Sequence, residues 1–89
     1  MQICKRVVFR GQVQGVGFRM TTQRIARKHV VAGFVRNLPS GDVELLAQGE
    51  GDEVERFIGE VSARMADYIR DVKMNDEPAS EIAGFEIRV

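Results

Sequence analysis

Hydrophobic and polar positions alternate in the N-terminal segment of the chain. In ICKRVVFRGQV, which is rich in β-branched residues, Val7 and Phe9 fall on the same face of an extended backbone. This two-residue period predicts a strand. The later segments GFVRN and DVELLAQG predict two strands joined around LPSG, where Pro39 and Gly41 supply turn chemistry.

Two segments close to the C-terminus, YIRDVKMN and GFEIRV, predict further short strands, and the segment DEPASEIA is predicted to form the loop between them. A first helix is predicted after the initial strand, with Thr21 or Thr22 as its N-cap. The residues that follow its helical spacing are Phe18, Thr22, Ile25, Ala26 and His29. Because His29 lies on this apolar stripe without a cysteine or acid at metal-ligand spacing, we interpret it as structural.

A second helix is indicated by apolar residues at positions i, i+3, i+4, i+7 and i+11, which are Val54, Phe57, Ile58, Val61 and Met65. Asp52 and Glu53 suit its start, because acidic side chains favour the positive end of a helix dipole. The predicted order is β-α-β-β-α-β with a short extra C-terminal strand. Right-handed crossovers would place both helices on one face of the sheet.

Charge is distributed unevenly along the chain, although the formal net charge is zero. Every acidic residue lies at or after Asp42, whereas eight of the thirteen Lys and Arg residues lie between Lys5 and Arg36. A basic N-terminal half could bind RNA or attract a small anion. We favour the alternative that the two halves fold against each other, with basic helix one (Arg24, Arg27, Lys28) beside acidic helix two (Asp52, Glu53, Glu55, Glu60).

The length of 89 residues predicts one domain, residues 1–89. No apolar run is long enough to span a membrane, and the N-terminus lacks the apolar stretch of a signal peptide. The single cysteine, Cys4, cannot form an internal disulfide. We therefore expect a cytoplasmic protein that is not membrane-bound.

The segment VQGVGFR contains two glycines followed by an arginine and precedes the first predicted helix. Gly15 and Gly17 permit positive φ angles, so successive backbone N–H groups can point toward one anion, and a helix N-terminus favours negative charge. The guanidinium of Arg19 matches phosphate oxygens. The segment lacks the Lys-Ser/Thr of a Walker loop and the third glycine of a dinucleotide-binding loop. A tight structural turn with a surface arginine is the alternative.

Two segments, GQVQGVGFR and GFVRNLPSGDVELLAQG, closely resemble the acylphosphatase family, and Gly33 of the second lies fourteen residues after Arg19 of the first. The resemblance implies an α+β, ferredoxin-like α/β sandwich with a mainly antiparallel sheet. It also implies hydrolysis of acyl phosphates without metal or cofactor. Members of the family usually end helix one with Leu-Gly-Leu, where this chain has His29-Val30-Val31. Because a β-branched residue is costly in the left-handed conformation, we expect this helix to end differently.

The resemblance also assigns roles to individual residues. Arg19 corresponds to the phosphate-binding arginine, and the backbone of Gly15, Val16, Gly17 and Phe18 to the phosphate cradle. Asn37 corresponds to the asparagine that positions the attacking water, although an asparagine before a turn can also be structural. The expected partners are small acyl phosphates and inorganic phosphate, with no nucleic acid and no membrane, and we expect a monomer.

Two other functions are consistent with the sequence. A non-catalytic phosphate-binding module would keep the cradle without turnover. An RNA-binding ferredoxin-like module would need exposed aromatic residues on the central strands, where KRVVFR and DVELLAQ offer only Phe9.

Overall fold

The computed structural model describes residues 1–89 and has two helices and five strands. Along the chain these are β1 (Gln2–Gly11), α1 (Phe18–Ala26), β2 (Ala32–Asn37), β3 (Val43–Glu50), α2 (Gly51–Arg64), β4 (Ile69–Glu77) and β5 (Phe85–Arg88), with a 3₁₀ turn at Ala66–Tyr68. The predicted order of elements is confirmed, including the short last strand.

The five strands form one sheet in the order β4-β1-β3-β2-β5. Three strand pairs are antiparallel, and only β2 and β5 run parallel. Because β1 and β2 are each antiparallel to the central strand β3, their C-terminal ends lie at the same edge of the sheet. Phe9 of β1 and Asn37 of β2 both pair with Val43, on its two sides. This register brings the loop after β1 and the end of β2 together.

Both helices cover the same face of the sheet, with α1 on β2 and β5 and α2 on β1 and β3. The apolar stripe predicted for α2 is confirmed, because Val54, Phe57 and Val61 are fully buried. The core between the layers also includes Val7, Phe9, Val13, Phe18, Ile25, Val35, Val43 and Leu45. Burial of these side chains is the main contribution to the stability of the fold.

The start of α1 differs from the prediction. The helix begins at Phe18, and its N-cap is Gly17 in the left-handed conformation, with φ 76°. The prediction of Thr21 or Thr22 as N-cap was wrong, because the hydroxyl of buried Thr22 donates to the carbonyl of Phe18 at 2.8 Å. A threonine used in this way lies inside a helix and does not cap its start.

The end of α1 lies before His29, which the sequence placed on the helical stripe. The helix ends at Ala26, and the N–H groups of Lys28 and His29 donate to the carbonyls of Ile25 and Ala26, at 2.9 and 3.1 Å. No residue other than glycine has a positive φ angle. The helix therefore ends without a left-handed residue, as the sequence predicted from its departure from Leu-Gly-Leu.

The charge pairing predicted between the helices forms only through Lys28 and His29, which follow the end of α1. Glu60 of α2 accepts hydrogen bonds from Lys28 Nζ at 2.5 Å and contacts His29 Nε2 at 2.9 Å. These contacts, the first from Lys28, lower the pKa of Glu60. Glu53 lies 3.5 Å from His29 Nδ1, whereas Arg24 and Arg27 have no acidic partner. The imidazole of His29 thus joins the end of α1 to α2, in keeping with a structural role.

The face of the sheet that no helix covers, called the open face, contains a carboxylate that is buried by its neighbours on the adjacent strands. Glu44 is only 3% exposed and accepts hydrogen bonds from Arg6 on one neighbouring strand and Arg36 on the other. Burial of the carboxyl opposes its ionisation, but the hydrogen bonds and charges of Arg36 and Arg6 outweigh burial, so the pKa of Glu44 is lowered. The carboxylate therefore stabilises the folded chain when it is ionised.

We expect Glu44→Gln to lower the free energy of unfolding at neutral pH by about 1 to 2 kcal/mol, because its arginine partners are themselves partly exposed. A folded-state pKa below the ordinary value of 4.5 gives stability that is complete above that pH. It is lost as pH falls through the lowered pKa. The difference between variant and wild type should therefore shrink in acid. Urea unfolding over a pH series measures it.

Glu81→Gln is the matched control, because Glu81 is exposed and makes no ion pair. Its stability should follow that of the wild type at every pH. If Glu44→Gln behaved like Glu81→Gln, the arginine pair would make no net contribution to stability.

Candidate active site

The loop between β1 and α1 exposes a run of unpaired backbone donors. Gly15 and Gly17 have φ angles of 78° and 76°, and a Cβ atom at either position would meet no protein atom within 4 Å. Glycine is therefore required here by conformation and not by lack of space. None of the N–H groups of residues 15–20 donates a hydrogen bond within the protein, and the first helical bond runs from Thr21 N to Gly17 O. Unpaired N–H groups at a helix N-terminus can bind an anion.

Two buried side chains hold this loop on the core. Val13 is completely buried before the glycines, and Phe18 is 2% exposed after them. The ring of Phe18 packs on that of Phe9, with centroids 5.0 Å apart. Because both ends are anchored, the exposed backbone between them is pre-shaped and need not be ordered by a ligand.

Arg19 follows the loop in the first turn of α1 and is half-buried. Its Nη1 lies 3.4 Å from the carbonyl oxygen of Arg88, at the end of β5, and it makes no ion pair. In the parallel pairing of β5 with β2, Arg88 lies opposite Arg36, which precedes Asn37. The guanidinium therefore lies at the sheet edge where β2 ends.

Asn37 is the last residue of β2 and pairs with Val43, which is fully buried under the helices. Cross-strand partners share a face of the sheet, so Asn37 lies on the helix-covered face, as the glycine loop does. Its half-buried side-chain amide makes no hydrogen bond within the protein, which leaves both donor and acceptor available. The structure thus brings the loop, Arg19 and Asn37 to one edge.

A direct hydrogen-bonded link joins the loop to the turn after Asn37, and the sequence did not predict it. Gln14 Nε2 donates to the carbonyl oxygens of Leu38 at 2.8 Å and Asp42 at 2.9 Å. A glutamine in a loop carries no periodic or compositional signal of such a contact. Only its position beside Gly15 could have drawn attention to it.

Exposed aromatic residues, metal ligands and membrane-spanning helices would each indicate a different function. Phe9, on which the RNA-binding alternative depended, is completely buried under the helices. Phe34 lies on the open face, half-buried, with the guanidinium of Arg88 4.0 Å from its ring centroid. No group of three or more His, Cys, Asp and Glu side chains is arranged to hold a metal ion. Neither helix has the length and apolar character needed to cross a bilayer.

Comparison with known proteins identifies the family. The family model described as acylphosphatase matches residues 5–87. The chain belongs to the acylphosphatase family. An acylphosphatase of Methanospirillum hungatei is 42% identical over 93% of this chain and 92% of its own length. One from Acaryochloris marina is 38% identical over 96% of this chain and 92% of its own length.

The fold agrees with this membership. The crystal structure of acylphosphatase from Bacillus subtilis superposes with a TM-score of 0.87 at 30% identity, and the whole of each chain is covered. The ferredoxin-like arrangement that the resemblance implied is therefore confirmed. Membership places the chain among the enzymes called acylphosphatases, and the glycine loop, Arg19 and Asn37 all lie within the matched residues.

Proposed function

We propose that the chain hydrolyses the carboxyl-phosphate bond of small acyl phosphates and releases a carboxylate and inorganic phosphate. The observation that carries the proposal is the run of unpaired N–H groups at residues 15–20, next to an arginine that has no acidic partner. Family membership supports the same reaction.

The phosphoryl group would bind in the cradle formed by the backbone of Gly15, Val16, Gly17 and Phe18. Phosphoryl transfer passes through a loose transition state whose charge is spread over the three equatorial oxygens. The N–H groups and the helix N-terminus face that charge without reorganisation. The guanidinium of Arg19 would donate two parallel hydrogen bonds to a pair of these oxygens.

The attacking water would be held by Asn37. Its side-chain carbonyl can accept a hydrogen bond from the water and orient the oxygen lone pair toward phosphorus, opposite the leaving carboxylate. A new phosphorus–oxygen bond forms as the bond to the carboxylate breaks. The carboxylate departs with the bonding electrons, and the proton lost by water goes to a phosphate oxygen.

The site has no general acid, and this leaving group needs none. A carboxylic acid has a pKa of about 4, so the carboxylate leaves as a stable anion. An alkoxide is a much stronger base, because its parent alcohol is a far weaker acid than a carboxylic acid. The arrangement is therefore suited to acyl phosphates and unsuited to alkyl phosphate esters.

We expect benzoyl phosphate to be hydrolysed faster than glycerol phosphate by at least the roughly 10² to 10⁴ that a general acid contributes to catalysis. Inorganic phosphate should inhibit competitively, because it occupies the same cradle. Phosphate release, measured with purified protein on both substrates, tests the expectation. Comparable rates on the two substrates would mean that the site contains an acid that this mechanism omits.

The same assay in excess chelator tests the proposed lack of a metal requirement. Activity should be unchanged, because the charge is supplied by backbone N–H groups and Arg19. A loss that magnesium restores would contradict the mechanism. The monomeric state, the absence of nucleic-acid binding and the cytoplasmic location stay predictions from the sequence.

A further inference from the structure

Gln14 joins the two halves of the candidate site. It directly precedes the glycine loop, and its side-chain amide bonds to the turn that follows Asn37. Nε2 donates one hydrogen bond to Leu38 O at 2.8 Å and one to Asp42 O at 2.9 Å. Leu38 is the residue after Asn37. These are the only hydrogen bonds between residues 12–17 and the turn at residues 38–42.

The carbonyl oxygens that Gln14 contacts also close the turn. Leu38 N donates to Asp42 O at 2.8 Å, and Gly41 N donates to Leu38 O at 3.0 Å. Each oxygen thus accepts one proton from the turn backbone and one from Gln14. These bonds hold the turn at a fixed distance from the loop, so the backbone that carries Asn37 is fixed relative to the cradle.

We propose that Gln14 is a positioning residue for hydrolysis, which sets the distance between the phosphate cradle and the water held by Asn37. The inference rests on the proposed function. Glutamine suits this place because a single side-chain nitrogen supplies two donors to two nearby acceptors. A carboxylate of the same shape would put oxygen against oxygen, and an apolar chain would leave both carbonyls with one bond fewer.

The kinetic consequence is specific. A displacement of about 1 Å between reacting groups can cost on the order of 10² in rate. Loss of the Gln14 link would displace the water and Asn37, while the cradle and Arg19 would stay anchored through Val13 and Phe18. Turnover should therefore fall while phosphate binding is retained, which a merely structural role would not produce.

The test compares Gln14→Met with Gln12→Met. Gln12 belongs to the same loop, but it is exposed and makes no hydrogen bond. For Gln14→Met we expect kcat on benzoyl phosphate to fall about tenfold or more, with the inhibition constant of inorganic phosphate within about twofold of wild type. Gln12→Met should match the wild type in both. Equal losses in kcat and phosphate binding, or wild-type kinetics for Gln14→Met, would overturn the proposal.

A double variant that combines Gln14→Met with Asn37→Ala tests whether Gln14 acts through Asn37. Because Gln14 would act by placing Asn37, Gln14→Met should slow Asn37→Ala by no more than about twofold. A full, multiplicative loss in the double variant would show that Gln14 acts independently. Gln14→Lys, which keeps donors for both carbonyls, should recover part of the lost kcat.

Two further outcomes are decisive. If Gln14→Met does not fold, Gln14→Glu, which keeps the size of the side chain, takes its place. Failure of both variants to fold would overturn the proposal, because Gln14 would then be a structural residue. If the wild type hydrolyses no acyl phosphate, the proposed function fails. If the wild type is active and Gln14→Met is equally active, only the positioning role fails.

Discussion

Arg19→Ala is expected to lower kcat/KM for benzoyl phosphate on the order of 10³ or more, the magnitude associated with arginines that stabilise phosphoryl transfer. The guanidinium would touch the phosphoryl group in both the bound substrate and the transition state. Inhibition by inorganic phosphate should therefore weaken together with turnover. Arg19→Lys should recover little, because an ammonium cannot reproduce two parallel hydrogen bonds.

Arg24→Ala is the matched control for this prediction. Arg24 lies on the same helix and carries the same charge, but it is exposed and makes no ion pair or hydrogen bond. If the effect came only from the general positive field of the helix, the two alanine variants would lose similar activity. Near-normal activity in Arg19→Ala with normal folding would exclude Arg19 as the phosphate ligand.

The elements of the fold were predictable because their periodic patterns reflect a one-sided core. The alternation of Val7 and Phe9 and the helical stripe from Val54 to Val61 each correspond to buried positions. The start of α1 was missed for a local reason. The left-handed Gly17 ends the loop, and the hydroxyl of Thr22 bonds back to Phe18. Nothing in a pattern of apolar positions distinguishes a threonine that caps a helix from one that lies inside it.

Long-range charge contacts were predicted only in outline. The sequence indicated that the basic and acidic halves meet, and Lys28 with Glu60 is one such contact. The strongest case is Glu44 between Arg6 and Arg36 on three adjacent strands. That set depends on strand order and register, which charge counts along a chain do not contain.

Parts of the candidate site could be proposed from the sequence where a short segment contains residues, such as glycines, that indicate a particular backbone conformation. Two glycines before Arg19 indicated an anion-binding loop, and the resemblance of the second segment to the family added Asn37 as a proposed water-positioning residue. The link through Gln14 could not be predicted, because it depends on β1 and β2 ending at the same edge on either side of β3. Tertiary structure thus adds the geometry between the two segments, on which the proposed in-line attack depends.

Asn37→Ala is expected to reduce kcat on the order of 10² or more, comparable to removing one preorganised hydrogen-bonding group in other enzymes. In the proposed mechanism Asn37 touches the water and not the phosphate, so inhibition by inorganic phosphate should stay close to wild type. An interaction made only with the nucleophile appears in kcat more than in ground-state binding. This split separates Asn37 from Arg19, whose loss should weaken both.

Stability decides between the catalytic and structural interpretations of Asn37. Its amide makes no hydrogen bond within the protein, and the turn after it is held by the backbone of Leu38, Gly41 and Asp42 and by Gln14. Asn37→Ala should therefore unfold in urea at nearly the wild-type midpoint, as should the control Asn75→Ala on the exposed strand β4. An unfolded Asn37→Ala would favour the structural interpretation. A folded variant with wild-type turnover would mean that another group orients the water, and the mechanism would lose its nucleophile-positioning residue.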